Sequence, residues 1–275
     1  MQGAGVSDAF AGGAVDWARV AQPQEDGYDT AVALRLAEAE LRWRKPAGPA
    51  QAPVFCDGQV ALRPWPDEET PGKHLVPGRL DHPNLARAAG YVKALWPAAY
   101  RQFTALVAAC YPLTLRDCDE STSIGSCSGH DAQVPFTLYV TCFEAFGTAE
   151  SMVHEMAHIK LRCLGVQSES STRLVRNDPD ELYVSPLRAF RRPMMAVAHA
   201  FYSWLHLTEL GTRFAALDAP RARLRLARNL GWIAQMEGEI KAHARLDEAG
   251  ERFFGELYGW SRRLHARGRT LLEAA

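Results

Sequence analysis

The sequence lacks several patterns that would assign it to a common class of protein. Its six cysteines include no C-x-x-C pair, so neither a zinc ribbon nor a dithiol redox motif is present. The 31 Lys and Arg residues nearly balance the 32 Asp and Glu residues, so no overall charge draws the chain to nucleic acid or to an anionic membrane. No apolar run reaches the ~20 residues that cross a bilayer.

The N-terminus also lacks the basic start and apolar block of a secretory signal. We therefore expect a cytoplasmic protein without nucleic-acid or membrane partners, whose cysteines are mostly buried free thiols. The oligomeric state stays open at this point.

The length of 275 residues allows one large domain with its own hydrophobic core. Prolines are dense between Pro46 and Pro83, and only short regular structure is expected there because each proline removes a backbone donor. We predict a single domain over residues 1–275. Residues 1–110 would form a helical and proline-rich part, and residues 111–275 a metal-binding core with the C-terminal helices.

Apolar spacing predicts a mostly helical α+β fold with a small sheet. Strands are predicted over residues 113–118 and 136–141, which are the convincing strand candidates. Helices are predicted over residues 30–44, 84–110 with a kink near Pro97, 149–164, 193–210, 220–246 and 248–267. Thr148 is predicted to cap the helix over 149–164, and Gly165 to end it in a left-handed conformation.

This helix contains His154-Glu155-Met156-Ala157-His158, an H-E-x-x-H motif. Residues four apart lie on one helical face, so both imidazoles can bind one divalent metal ion while Glu155 lies beside it. A strand followed at once by such a helix is the context of metal-dependent hydrolases of the zincin type. The motif therefore predicts a metal centre.

A metal centre of this kind needs a third protein ligand. The longer H-E-x-x-H-x-x-G-x-x-H pattern fails because Leu161 and Leu164 occupy the glycine and third-histidine positions. His199 lies in the apolar middle of the next predicted helix, where an uncompensated imidazole is costly to bury, and we predict it as the third ligand. His206 is a weaker candidate, and the alternative for His199 is a core histidine satisfied by a backbone carbonyl.

The region from about residue 124 to 210 resembles a known family. It carries, in order, the motif itself, an Asp-Pro-Asp, a Tyr-Val-Ser-Pro-Leu-Arg, an Arg-Pro and a Val-Ala-His-Ala-Phe-Tyr segment, at residues 152–160, 178–180, 183–188, 192–193 and 197–202. This order and spacing are similar to the H-E-x-x-H domain family of peptide-modification gene clusters. Leu187, Ala198 and Ala200 stand where that family has Trp, Leu and Gly.

The resemblance implies an Fe(II)- and 2-oxoglutarate-dependent oxygenase that hydroxylates a side-chain β-carbon in a ribosomally made precursor peptide. It implies a zincin-like core in which the motif helix and a supporting helix bring His154, His158 and His199 to the iron. It also leaves Arg188 or Arg192 to pair with the distal carboxylate of 2-oxoglutarate.

Two other functions fit the same residues. As a zinc peptidase or another hydrolase, the chain would use His199 or a loop carboxylate as the third zinc ligand and Glu155 as the general base toward the attacking water, so loss of Glu155 would abolish turnover. In the oxygenase, Glu155 has no obligatory acid or base role. As a peptide-binding module, the chain would carry a degenerate site and tolerate changes in it.

Two features concern the peptide itself. A strand over residues 136–141 would hold an extended peptide if it lies at the edge of the sheet, and an inner position is an equal alternative. A basic run is expected to be a solvated helix face, with contact to an acidic leader peptide as the alternative; it comprises Arg221, Arg223, Arg225 and Arg228.

Overall fold

The computed structural model describes residues 14–45, 53–66, 74–116, 128–130, 134–187, 190–217 and 220–274. Within these ranges the chain forms a mostly helical α+β fold, which confirms the predicted class, and the described residues contain eight helices. The helices are α1 (Trp17–Val20), α2 (Tyr28–Glu40), α3 (Pro83–Leu95), α4 (Pro97–Leu106), α5 (Ala145–Cys163), α6 (Met194–Ala215), α7 (Pro220–His243) and α8 (Glu248–Glu273). None of them has the length and apolar character to cross a membrane.

The described strands form one mixed sheet of six strands and one pair. They are β1 (Val54–Phe55), β2 (Val60–Leu62), β3 (Leu75–Pro77), β4 (Ala109–Leu115), β5 (Ser128–His130), β6 (Thr137–Thr141), β7 (Leu182–Tyr183) and β8 (Arg192–Pro193). The larger sheet has the order β1-β2-β4-β6-β5, and β3 also pairs with β4. Strands β4 and β6 run parallel, whereas β5 runs antiparallel to β6.

The sheet decides one open alternative and corrects one sequence prediction. Strand β6 matches the strand predicted over 136–141 and takes the inner position, between β4 and β5, so β5 is the edge strand on this side of the described sheet. Strand β4 begins at Ala109, whereas the sequence predicted a helix to residue 110 and a strand from 113. The helix ends earlier because the chain extends at Val107 and pairs with β6 from Ala109 onward.

Pro97 divides the long helix predicted over 84–110 into α3 and α4. Trp96 lies between them in a non-helical conformation, which follows from the steric restriction that proline places on the residue before it. The kink predicted near Pro97 is therefore a boundary between two abutting helices.

Helix α5, which carries the H-E-x-x-H motif, begins at Ala145 and not at the predicted residue 149. The prediction that Thr148 caps it is wrong. Thr148 is fully buried inside the helix, and its hydroxyl lies 2.8 Å from the carbonyl oxygens of both Thr141 and Glu144. This contact ties the first turn of α5 to the end of β6.

The end of α5 follows the prediction. Gly165 adopts a φ of 89°, and the amides of Gly165 and Val166 donate to the carbonyls of Arg162 and Leu161 at 3.0 and 3.1 Å. This pair of bonds is a Schellman motif. It fixes the direction in which the chain leaves the helix at Val166.

The cysteine prediction is confirmed for the described residues. Four thiols are buried and free, and they belong to Cys56, Cys110, Cys142 and Cys163. Cys118 and Cys127 lie outside the described residues.

Candidate functional site

Helix α5 places the two histidines of the motif side by side, as the spacing of four residues predicts. Nε2 of His154 and Nε2 of His158 lie 3.1 Å apart. Both side chains are partly exposed, in contrast to most of α5, which is buried. The two Nε2 atoms therefore lie together at a partly exposed surface, where a small molecule or ion can reach them.

His199 comes from α6 and joins this pair. Its ring lies edge to edge with that of His158 in nearly the same plane, with 5.2 Å between centroids and 14° between planes. Nδ1 of His199 lies 2.9 Å from Nδ1 of His158, and Nε2 of His199 lies 2.7 Å from the carbonyl oxygen of Val166. The structure thus brings the three predicted imidazoles together, with His158 in the middle.

The contacts of His199 are on the opposite edge of the His158 ring from His154. Among the described residues, no group of three His, Cys, Asp or Glu side chains has the arrangement of a metal site. Ligation by His199 stays a prediction. The alternative weighed for it, a bond to a backbone carbonyl, is present as the contact with Val166.

The hydrogen bonds assign the neutral tautomers of these rings. The Val166 carbonyl only accepts, so Nε2 of His199 carries the proton and Nδ1 of His199 accepts from Nδ1 of His158. A neutral His158 then has its lone pair on Nε2, which accepts from Nε2–H of His154 at 3.1 Å. A metal-binding histidine is usually oriented by a bond of this kind at its other nitrogen.

Glu155 lies on the sheet side of the histidine pair and is 2 % exposed. Its Oε1 accepts a hydrogen bond from Ser128 Oγ at 2.8 Å and lies 3.7 Å from Nε2 of His154. Because Ser128 belongs to β5, this bond ties the edge strand to the motif helix.

These residues line a cavity of about 500 Å³. Helix α5 contributes Ser151, His154, Glu155 and His158; helix α6 contributes Ala196, His199, Ala200, Ser203, Trp204 and Leu207; and the rest of the lining is Ser128, Gly129, Ser168, Leu187, Arg192 and Trp232. Among these described lining residues, Glu155 carries the one carboxylate and Arg192 the one guanidinium.

The structure describes one of the two arginines that were predicted to bind 2-oxoglutarate. Arg192 lies in β8, directly before α6, and its half-buried side chain lines the cavity. Arg188 lies outside the described residues. Arg192 is therefore the arginine that the structure places beside the histidines.

His206, the weaker candidate ligand, does not line this cavity. It is fully buried against the rings of Trp96 and Trp260. Desolvation by burial, assisted by the nearby charge of Lys160, lowers the pKa of His206 to about 3. His206 is thus a neutral core residue.

The prediction of a solvated arginine face on α7 is wrong for Arg225. This side chain is buried and its guanidinium pairs with the carboxylates of Glu144 and Glu150. Arg228 is exposed and lies over the Trp232 ring at 4.7 Å, while the side chain of Arg221 lies outside those described. The spacing of the arginines did not reveal which of them turns toward α5.

Sequence reasoning missed several cavity residues. Ser128 lies in a three-residue strand that shows no alternation, and Trp232 lies on a helix that was not linked to the site. Trp204 offered a signal, because it follows Ala196 and Ala200 at a spacing of four residues and so shares their helical face.

Comparison of the chain with protein-family models gives no match, and comparison with curated proteins gives none either.

Proposed function

We propose that this chain is an Fe(II)- and 2-oxoglutarate-dependent oxygenase that hydroxylates a side-chain β-carbon in a ribosomally made precursor peptide. The observation that carries the proposal is the pair of imidazole nitrogens, 3.1 Å apart, in a cavity that also contains Arg192. The helix α5 beside a mixed sheet with an antiparallel edge strand supports a zincin-like core.

The donor atoms fit a metal ion. Ligands ~2.1 Å from a cation are ~3.0 Å apart at a right angle and ~3.4 Å apart at a tetrahedral angle. The 3.1 Å between the Nε2 atoms of His154 and His158 lies between these two values, so both nitrogens can reach one cation. His199 is the proposed third ligand, and ligation would require one of its ring nitrogens to exchange its bond to His158 or to the Val166 carbonyl for the metal. Bound iron would supply oxidative decarboxylation of 2-oxoglutarate and hydroxylation of the substrate carbon.

Arg192 is the proposed partner of the co-substrate. A guanidinium binds a carboxylate through two parallel hydrogen bonds, and Arg192 is the one such group among the described lining residues. It lines the cavity and directly precedes the first turn of α6, the helix that carries His199. The distal carboxylate of 2-oxoglutarate would lie beside Arg192.

Strand β5 is the proposed holder of the peptide backbone. Ser128 and Gly129 of this edge strand line the cavity, and an edge strand offers backbone groups to an extended peptide. The bond from Ser128 to Glu155 fixes the distance between this edge and the histidines. In this function Glu155 positions the strand and takes no proton.

A zinc hydrolase is the second candidate, favoured by one observation. The carboxylate of Glu155 lies in the cavity, 3.7 Å from Nε2 of His154, where a general base would act on water. The described lining offers no second carboxylate to serve as a third zinc ligand.

The test is turnover by iron-loaded protein with 2-oxoglutarate, oxygen and a candidate precursor peptide. We expect succinate and a peptide heavier by one oxygen, about 16 mass units. Glu155→Gln should keep most of this activity, whereas His154→Ala should abolish it, and His74→Ala, at an exposed histidine outside the cavity, is the matched control. Peptide fragments that disappear in Glu155→Gln would establish the hydrolase instead.

A further inference from the structure

The cavity has two chemically different ends, one on each side of the motif histidines. The part of α6 that lines the cavity runs from Ala196 to Leu207, which is ~16 Å at the rise of an α-helix. Arg192 lies at the end where α6 begins, whereas Trp204 and Leu207 lie at the other end. The length is sufficient for two ligands, one beside each end.

The end away from Arg192 has an aromatic wall. The rings of Trp204 and Trp232 are 5.3 Å apart at 58°, and the Trp204 ring lies 5.0 Å from the ring of His154. Both tryptophans are half-buried, so part of each indole borders open space. Leu207 completes the wall, and this surface adjoins the proposed metal ligand directly.

Five of the described lining residues lie at this end, and none of them is charged; they are Ser151, Ser203, Trp204, Leu207 and Trp232. The carboxylate of Glu155 lies beyond His154, with Oε1 3.7 Å from Nε2 of that histidine, so an anionic ligand group would meet a like charge. The guanidinium of Arg228 lies over the Trp232 ring but is not among the lining residues. An apolar group would remove water from the indoles and Leu207, while the buried Ser151 Oγ and Trp204 Nε1, which have no hydrogen-bond partner among the described residues, can bind polar atoms of the peptide beside it.

We infer that Trp204, Leu207 and Trp232 form a side-chain subsite that takes an apolar side chain of the peptide substrate. This inference rests on the proposed function in taking a peptide as the ligand. Strand β5 would hold the backbone of the peptide while the subsite receives one side chain next to His154. The residue chosen for modification, or its neighbour, would thus be selected by apolar contact with the indoles.

The experiment uses the full chain labelled with ¹⁵N at its tryptophans, without metal or 2-oxoglutarate. Three probes of similar size are titrated: N-acetyl-L-leucinamide, N-acetyl-L-asparaginamide and, as the acidic probe, the α-amide of N-acetyl-L-aspartic acid, whose β-carboxyl is free. We expect the leucine probe to shift the indole N–H signals of Trp204 and Trp232, assigned by their Trp→Phe variants. Its Kd should be at least about five-fold below that of the asparagine probe, because burial of apolar surface distinguishes the two.

Variants separate the subsite from general folding. Trp232→Ala should weaken binding of the leucine probe at least about five-fold, and Trp232→Leu, which keeps an apolar wall, should recover most of that loss. Trp17→Phe changes an indole outside the cavity and is the matched control. Thermal melting of each variant shows whether it is folded.

Three results would overturn the inference: no saturable binding of the leucine probe, equal binding of the leucine and asparagine probes, or tighter binding of the aspartate probe. The last result would show that charge selects the ligand. Because the titration contains neither iron nor 2-oxoglutarate, its outcome is independent of succinate formation. The subsite and the proposed reaction can therefore fail separately.

Discussion

At the scale of single residues, hydrogen bonds from outside the H-E-x-x-H motif orient one of its histidines, His158. The Val166 carbonyl orients His199, and His199 orients His158 so that its Nε2 lone pair faces His154. Loss of a residue that orients a metal ligand typically lowers metal affinity 10–100-fold. His199→Ala should therefore weaken Fe(II) binding by about that factor, measured by anaerobic calorimetry against His74→Ala. An unchanged affinity for Fe(II) would contradict both the role of His199 as a metal ligand and its role in orienting His158.

Glu150 gives a prediction about pH. Burial raises its pKa from 4.5 to about 7, although the charge of Arg225 lowers it. Since the folded state raises this pKa, it favours the protonated carboxyl of Glu150. The stability that this protonation contributes is fully present below about pH 4.5 and is lost as the pH rises through about 7. Wild type should lose up to about 3 kcal/mol of unfolding free energy between pH 5 and 8 relative to Glu150→Gln. Arg225 keeps its bond to Glu144 in that variant.

Denaturant unfolding at several pH values measures this difference. Glu248→Gln, at an exposed carboxylate, is the control and should follow wild type. Parallel curves for wild type and Glu150→Gln would show that Glu150 stays charged in the folded protein.

At the scale of elements, the long helices were predictable and the short strands were not. Helices α5 to α8 contain several turns of apolar spacing, so the signal accumulates along each of them. Strands β1, β2, β3 and β5 have two or three residues each, too few to show alternation. The edge position of β5 depends on pairing with β6, which no local pattern specifies.

The end of α5 gives a prediction at this scale. A Cβ on Gly165 would lie 2.6 Å from Thr172 Oγ1, and the φ of 89° strains any other residue. Gly165→Ala should lower the unfolding free energy by about 1–3 kcal/mol and displace Val166, the acceptor for His199. Gly231→Ala, in open space on α7, should be neutral or stabilising. Equal stabilities of the two variants, measured in denaturant, would contradict this account of the helix end.

At the scale of the whole molecule, the N-terminal helices hold the motif helix through a buried ion pair. Nζ of Lys160 on α5 lies 2.6 Å from Oδ2 of Asp29 on α2, and Gln102 of α4 also donates to this carboxylate. Both charged side chains are fully buried, and burial lowers the pKa of Lys160 despite the opposing charge of Asp29. The sequence showed both residues but not their contact, because 131 residues separate them.

Removal of either partner leaves an uncompensated buried charge. Asp29→Leu and Lys160→Met should each cost about 3–5 kcal/mol of unfolding free energy, whereas the double variant should cost much less than their sum. Arg79→Ala, which breaks an exposed ion pair with Asp81, is the control and should change stability by less than about 1 kcal/mol. Additive losses in a double-mutant cycle would show that the two residues act independently.

We propose that His154 and His158 hold an iron ion that keeps open positions for 2-oxoglutarate. The most direct measurement is an anaerobic titration of the protein with Fe(II) and then with 2-oxoglutarate, followed by visible absorption. We predict a charge-transfer band that saturates at one equivalent of iron, that is absent in His154→Ala, and that needs a higher concentration of 2-oxoglutarate in Arg192→Gln. A protein that binds iron without this band, or that gives the same band in His154→Ala, would contradict the claim.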